Sequence, residues 1–213
     1  MNRIKFKIFS LFFLLSILID KKLIAQTADE GASLGMKAGV NFTNYNLQDA
    51  SAKTLPGFNI GLFSRAAFSK YIAIQPEFNF NMQHSKITVN PASDNTQFSL
   101  WMSYIEFALS GVATYHKGFF QFGPYISYLA NMNVKNESAN NQDISDIINR
   151  KNFYDIDFGF TYTLGIQLKR WDLGIRYNQG LFITGKEKTP NGELNIYRQN
   201  KTSMPVIFAG YYF

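Results

Sequence analysis

The chain predicts an all-β protein: an eight-stranded antiparallel up-and-down transmembrane β-barrel with short periplasmic turns and four long outside loops. Three observations predict it. Residues 71–83 put Ile72, Ile74, Pro76, Phe78, Phe80 and Met82 on one parity and Gln75, Glu77, Asn79, Asn81 and Gln83 on the other. Strand side chains alternate between faces, so this segment has one apolar face and one amide-and-carboxylate face, as a strand needs between lipid and a polar interior. Seven further segments repeat the alternation. The connections between them alternate strictly between tight and long.

The first strand is read at 34–43, with Leu34, Met36, Ala38, Val40 and Phe42 outward and Lys37 and Asn41 inward. The second, 57–68, turns Phe58, Ile60, Leu62, Ala66 and Phe68 outward and Asn59 and Arg65 inward. The third is the segment just described. The fourth, 98–115, opposes Ile105, Phe107 and Leu109 to Tyr104, Glu106 and Ser110. Leu100 and Met102 fall on the inward parity of that frame, which predicts a bulge or a change of environment near Ser103.

The fifth strand, 119–132, is read with Phe120, Phe122, Ile126, Tyr128 and Met132 outward and Gln121, Ser127 and Asn131 inward. The sixth, 153–168, sets Ile156, Phe158, Phe160, Tyr162, Leu164, Ile166 and Leu168 against Asp155, Asp157, Thr161, Thr163 and Gln167. The seventh, 171–181, sets Leu173, Ile175 and Tyr177 against Asp172, Arg176 and Asn178, and the eighth, 201–213, turns Ile207, Ala209, Tyr211 and Phe213 outward. Tight turns are expected at Ser69-Lys70, His116-Lys117-Gly118 and Lys169-Arg170, and long polar connections at 44–56, 84–97, 133–152 and 182–199. Short periplasmic turns and long outside loops belong to outer-membrane barrels, and an even strand number leaves both chain ends on the periplasmic side. An aromatic C-terminus, Tyr211-Tyr212-Phe213, suits the girdle at that interface.

Most in-strand glycines fall on the inward parity, where small residues beside large ones let a narrow interior fill. Pro76, Pro124 and Pro205 oppose the assignment, because a closed sheet has no free edge for a residue lacking a donor. They are expected at bulges or strand ends.

Residues 1–25 read as a signal peptide and 26–213 as the barrel domain. Arg3, Lys5 and Lys7 precede an apolar run from Ile8 to Ile19, and Leu23-Ile24-Ala25 forms the cleavage region. The run is too short for a helix spanning a bilayer, which needs roughly 20 residues. An uncleaved anchor is the alternative, since Asp20-Lys21-Lys22 and Leu23 are unusual before a cleavage site. The leader holds five of the 21 basic residues and one of the 15 acidic ones, so the mature chain keeps 16 and 14 and a net charge of +2. The basic character is thus mostly the leader's, and nucleic acid is not an expected partner. The absence of cysteine removes disulfides, thiolate metal sites and a thiol nucleophile.

Inward charges form the one constellation of note: Lys37, Arg65 and Arg176 with Glu77, Glu106, Asp157 and Asp172. Two readings stand, a salt-bridge plug that compensates buried charge and a narrow ion or proton path; the width of an eight-stranded interior favours the plug. Glu77 and Glu106 lie on adjacent strands and could serve as an acid/base pair, but basic neighbours favour structural pairing. His84 and His116 fall at opposite ends, so they share no metal site or triad, and His84-Ser85 lacks an acid at recognisable spacing. No catalytic residue, cofactor or metal is expected. Ile144, Ile147 and Ile148 have helical spacing within 138–151, read as a loop cap or, alternatively, a docking segment.

Gly39-Val40-Asn41-Phe42-Thr43-Asn44, Gly57-Phe58-Asn59-Ile60-Gly61-Leu62, Ile74-Gln75-Pro76-Glu77-Phe78, Tyr104-Ile105-Glu106, Gly123-Pro124-Tyr125 and Arg176-Tyr177-Asn178-Gln179-Gly180-Leu181 follow one another along the chain. In this order and spacing the sequence resembles the PorT-like outer-membrane β-barrel family of Bacteroidetes over nearly all of its mature length. The resemblance implies an eight-stranded barrel in the outer membrane of a diderm bacterium and makes in-strand Gln-Pro-Glu and Gly-Pro-Tyr ordinary. The family's named member is tied to protein secretion and gliding, whereas most members have no assigned activity.

The expected function is that of a non-enzymatic integral outer-membrane protein with a structural or interaction role through its extracellular loops. Its expected partners are outer-membrane lipid or lipopolysaccharide, and envelope or secretion proteins through the loops. The alternatives are an accessory component of a secretion or transport assembly and a small exported ligand-binding barrel. The last would turn its apolar face inward and show Glu77 to water.

Overall fold

The computed structural model describes residues 32–45, 47, 50–89, 96–136, 150–187 and 200–213. The strands are β1 (Ala32–Phe42), β2 (Ala50–Ala67), β3 (Ile72–Val89), β4 (Thr96–Tyr115), β5 (Gly118–Asn136), β6 (Ile156–Leu168), β7 (Trp171–Ile183) and β8 (Lys201–Tyr212). Each pairs antiparallel with its sequence neighbours, and β8 returns to β1 through Gly35↔Tyr212 to Asn41↔Val206, closing an up-and-down barrel. The signal peptide expected at 1–25 and most of the helical segment expected at 138–151 lie outside the described residues. At the end of the latter, Arg150–Asn152 form a 3-10 turn.

The outer surface is apolar around the ring. Leu62, Phe78, Leu164, Ile175 and Ile207 are each more than half exposed. Glu77 and Asp157 are 2% and 3% exposed. This polarity, oily outside and polar within, excludes the soluble ligand-binding barrel. At the end where β1 starts and β8 finishes, Tyr71, Tyr115, Trp171, Tyr211 and Phe213 are exposed or partly so, with Trp171 and Tyr211 in edge contact at 5.0 Å. The amide of Phe213 bonds Leu34 O at 3.0 Å, which ties the aromatic C-terminus to β1.

The three tight turns stand where expected. His116 (φ 53°) and Lys169 (φ 55°) open two-residue hairpin loops, whose twist calls for a positive φ.

The long connections are shorter than the sequence suggests. β2 starts at Ala50 rather than residue 57, β3 runs to Val89 rather than 83, and β5 runs to Asn136 rather than 132. These extensions still alternate, but with the opposite polarity. Ile87, Phe98, Leu100, Met102, Tyr104 and Leu129 form a buried cluster inside the barrel, and Lys53, Lys86 and Lys135 occupy outward positions. Beyond the membrane the solvent around the sheet is water, so apolar side chains turn in and polar ones out. Leu100 and Met102 are therefore no defect of β4, which keeps one parity throughout.

The bulge near Ser103 lies in the partner strand. Ser103 pairs with Asn131 and Tyr104 with Leu129, leaving Ala130 extra in β5. The added residue reverses parity beyond it. Met132 consequently packs on the inner cluster and Asn131 is exposed, opposite to the sequence expectation for both. A second bulge at Pro56-Gly57 reverses β2 in the same way. Asp155, expected inward on the sixth strand, precedes β6 and is exposed, paired with Arg150 at 3.3 Å.

Pro76, Pro124 and Pro205 mark neither bulges nor strand ends. Pairing of β2 with β3 lapses between Phe63↔Glu77 and Ala66↔Ile74 and resumes in the same register; β4 and β5 do likewise between Ala108↔Tyr125 and Gly111↔Phe122. Tyr177↔Pro205 keeps its place in the β7–β8 ladder. Two prolines thus interrupt a ladder on one side without shifting it, and Gly123 beside Pro124 lets β5 approach so closely that a Cβ there would lie 1.9 Å from Leu109 O.

Candidate functional site

The barrel interior brings the seven sequence-selected charges into three groups, all buried. The central group is built on β3, whose inward face carries Gln75, Glu77, Asn79, Asn81 and Gln83 in succession. Glu77 Oε2 accepts from Lys37 Nζ of β1 and Arg176 Nη2 of β7, and its Oε1 accepts from Gln75 Nε2 at 2.7 Å. Glu106 of β4 accepts from Asn79 Nδ2 at 2.9 Å, Asn81 Nδ2 at 3.0 Å and Asn178 Nδ2 at 2.7 Å, with Arg176 Nη1 at 3.7 Å. Two cations thus face two carboxylates, and side-chain amides fill the remaining oxygen sites. A buried ion pair is tolerable only with such additional donors.

Towards the periplasm, Arg65 of β2 donates through Nη2 to Asp172 Oδ2 at 2.9 Å and through Nε to Gln75 Oε1 at 2.7 Å. Tyr212 donates its hydroxyl to the same Asp172 oxygen at 2.8 Å. The guanidinium lies over the rings of Phe119 and Tyr212, at 4.9 and 5.4 Å from their centroids. Towards the outside, Asp157 joins neither group. Tyr125 Oη and Thr202 Oγ1 donate to its Oδ2 at 2.9 and 2.7 Å, and no ion pair reaches it among the described residues. Asp157 with Lys37, Arg65 or Arg176 is thus a pairing the structure does not make.

Above Asp157 the polar column ends. Gln83 accepts a hydrogen bond from Tyr45 Oη at 2.9 Å, and the apolar cluster of Ile87, Phe98, Leu100 and Met102 fills the outer end of the bore. Burial in this cap pushes the Tyr45 phenol well above its usual range. Tyr45, Tyr125, Thr202 and Tyr212 were missed from the sequence, although Tyr125 and Tyr212 sit on inward parity, a signal that could have found them.

Glu77 and Glu106 share Arg176 and the Asn79 amide, and side-chain donors occupy all four of their oxygens. His84 stacks on Trp101 at 3.5 Å at the outer end and His116 lies in a periplasmic turn. Among the described residues no group of three or more histidines and carboxylates is placed to hold a metal.

A closed sheet with an apolar girdle, a charged and packed interior and terminal aromatic residues is a membrane-spanning β-barrel. The outer membrane protein beta-barrel domain family matches residues 24–184, and the chain belongs to that family. The protein therefore resides in the outer membrane. Solved structures similar to it include the outer membrane protein OprG from Pseudomonas aeruginosa, at 10% identity over 86% of this chain and 97% of that one, TM-score 0.48. Neisserial surface protein A is similar at 13% identity over 86% and 100%, TM-score 0.41. Ail, the attachment invasion locus protein of Yersinia pestis, is similar at 12% identity over 85% and 99%, TM-score 0.39. No curated protein matched the chain.

Proposed function

We propose that this protein is a non-enzymatic, closed outer-membrane barrel whose work is done by its outer surface and extracellular loops. The carrying observation is the filled bore: the Lys37–Glu77–Arg176–Glu106 cluster at mid-height, Arg65 with Asp172 on one side of it and the apolar cap on the other. A path for ions needs mobile water between these layers, and side chains that fill an eight-stranded bore, with both glutamates held by cations and amides, oppose that. The partners that fit are outer-leaflet lipid and envelope proteins reached through the loops, with export directed by a signal peptide at 1–25. The test is reconstitution in planar bilayers: the wild-type protein gives no unitary current, and regular single-channel steps would refute a closed bore.

A second reading, an accessory component of a secretion assembly, is supported by the ordered motifs from Gly39-Val40-Asn41 to Arg176-Tyr177-Asn178 that resemble the PorT-like family. Crosslinking in intact cells distinguishes the two: secretion partners captured in stoichiometric amount favour the second.

A further inference from the structure

A groove of about 970 Å³ crosses the lipid-facing surface from β4 to β8 near the periplasmic end. Its floor is the level at which Gly165 of β6 faces Gly174 of β7, backed from inside the barrel by Phe119 and Phe208. Its walls are two outward rungs of the sheet. Phe120, Leu164 and Ile175 stand in register along one, and Gly118, Ile166 and Leu173 along the other. Gly118 leaves the second wall open where it meets the turn: a Cβ there would meet nothing closer than 3.5 Å. Barrel strands are tilted, so rungs perpendicular to them climb around the surface. The second wall starts at Gly118, the first residue of β5, and by Leu173 lies two residues inside the start of β7. The groove therefore opens at the periplasmic rim and runs obliquely into the hydrocarbon. Four strand spacings of about 4.8 Å make it about 19 Å long, the reach of one long acyl chain.

At the rim the groove opens between two basic turns. Lys117 lies in the β4–β5 turn, and Lys169 and Arg170 form the β6–β7 turn; all three are exposed. The two turns are close, because the Gln167 amide donates to Lys117 O at 2.7 Å, one step beyond the Gly118↔Ile166 pair. Asp172, the nearest acid along the chain, is buried and held by Arg65 and Tyr212. Among the described residues the exposed acids, Asp155 and Glu187, belong to the opposite end of the barrel. Tyr115 and Trp171, both exposed, stand just inside the three cations and mark the membrane–water interface. The cations thus sit at headgroup level and the groove at acyl level.

We propose that this groove and the two basic turns form a binding site for an anionic glycerophospholipid of the periplasmic leaflet. One acyl chain lies along the Gly165–Gly174 floor, and the phosphate lies between Lys117, Lys169 and Arg170. The occupant follows from the placement: the groove has apolar walls where hydrocarbon surrounds the sheet, and its rim end carries charge of one sign. This goes beyond the outer-leaflet and loop partners proposed above. It rests on the oily exterior and not on the closed bore, so a current in planar bilayers would leave it standing, and its own failure would leave the closed bore standing.

The test uses the full chain with Trp101→Phe, which leaves Trp171, beside the mouth of the groove, as the one tryptophan of two. It is reconstituted in phosphatidylcholine bilayers with a rising fraction of phosphatidylglycerol brominated on its acyl chains, since bromine quenches tryptophan on contact. Quenching of Trp171 saturates at a low fraction of this lipid, whereas brominated phosphatidylcholine quenches only in proportion to its amount. Each cation at a membrane surface contributes about fivefold, so Lys117→Gln with Lys169→Gln lowers the preference roughly 25-fold. Gly118→Leu fills the mouth without a backbone clash and abolishes the saturable part. Lys53→Gln with Lys135→Gln, at the outer end, leaves it unchanged. Heat-modifiable gel mobility verifies that each variant is folded, and the comparison of the two brominated lipids tests the site without a groove or cation variant. Equal quenching by the two lipids, an undiminished preference without Lys117 and Lys169, or an unchanged response in Gly118→Leu would overturn the site. Loss of the preference on adding inorganic phosphate at equal concentration would make it a free-anion site. Loss as the protein-to-lipid ratio rises would put a second copy of the chain in the groove, and either result overturns the lipid assignment.

Discussion

Lys37 reaches Glu77 across an intervening strand. The two residues stand on β1 and β3, which are not neighbours, and the residue between them in β2 is Gly61, in register with Lys37 on one side and Asn79 on the other. The ammonium crosses over a position without a side chain. A glycine in the sheet is thus a condition for an ion pair in the bore.

Removing the charge at Glu77 while keeping its volume leaves Lys37 and Arg176 buried against Glu106 alone. Glu77→Gln is expected to cost about 3–5 kcal/mol, the range for breaking a buried pair from one side. Combining it with Lys37→Met is expected to restore part of the loss. Reversible urea unfolding in lipid vesicles measures both, and additive losses would deny the coupling.

Three glycines give an ordered series when replaced by alanine. At Gly123 the new methyl would lie 1.9 Å from the Leu109 carbonyl, which is backbone; at Gly61 the nearest atom is Asn79 Oδ1 at 2.1 Å, which is side chain; at Gly111 nothing comes within 3.8 Å. Gly123→Ala is expected to be the most damaging, Gly61→Ala to cost about 1–3 kcal/mol, and Gly111→Ala to be tolerated. Unfolding midpoints in one lipid rank them, and equal effects at all three would contradict the close approaches.

Met102 and Ser103 test the reversal of polarity outside the membrane. Met102 is buried in the inner cluster, and Ser103 faces out beside the water boundary. Met102→Lys is expected to abolish the folded, heat-modifiable band, because an uncompensated charge in an apolar cluster costs several kcal/mol. Ser103→Lys is expected to fold as the parent does.

Lys169 carries a positive φ at a periplasmic turn. Glycine adopts that conformation freely, so Lys169→Gly is expected to stabilise by about 0.5–1 kcal/mol, the relief of left-handed strain less the entropy of a freer unfolded chain. A small upward shift of the urea midpoint is the expected reading, and a downward shift would count against strain at this turn.

Parity made most of this architecture legible. Ile72 to Met82 against Gln75 to Gln83 established an oily exterior, and the same alternation set all seven interior charges inside. What parity could not reveal was where the outer solvent changes. Phe98, Leu100 and Met102 alternate as cleanly as Ile105, Phe107 and Leu109, but face the other way, because burial inside the sheet and immersion in lipid reward the same residue types. Nor could it place Ala130, a single unpaired residue that turns Met132 in and Asn131 out; no local signal separates it from its neighbours. Asp157 shows a different limit. Its partners, Tyr125 and Thr202, are hydroxyls on other strands, and charge counting looks only for cations.

The cations that balance Glu77 and Glu106 come from β1 and β7, whereas the carboxylates themselves come from β3 and β4. A partly assembled sheet of β2 to β5 would carry both acids into hydrocarbon with their counter-ions still behind. Ring closure and dehydration of the acids are thus coupled into one late event, so insertion one hairpin at a time meets a barrier that concerted insertion, or a helper that shields the growing sheet, avoids.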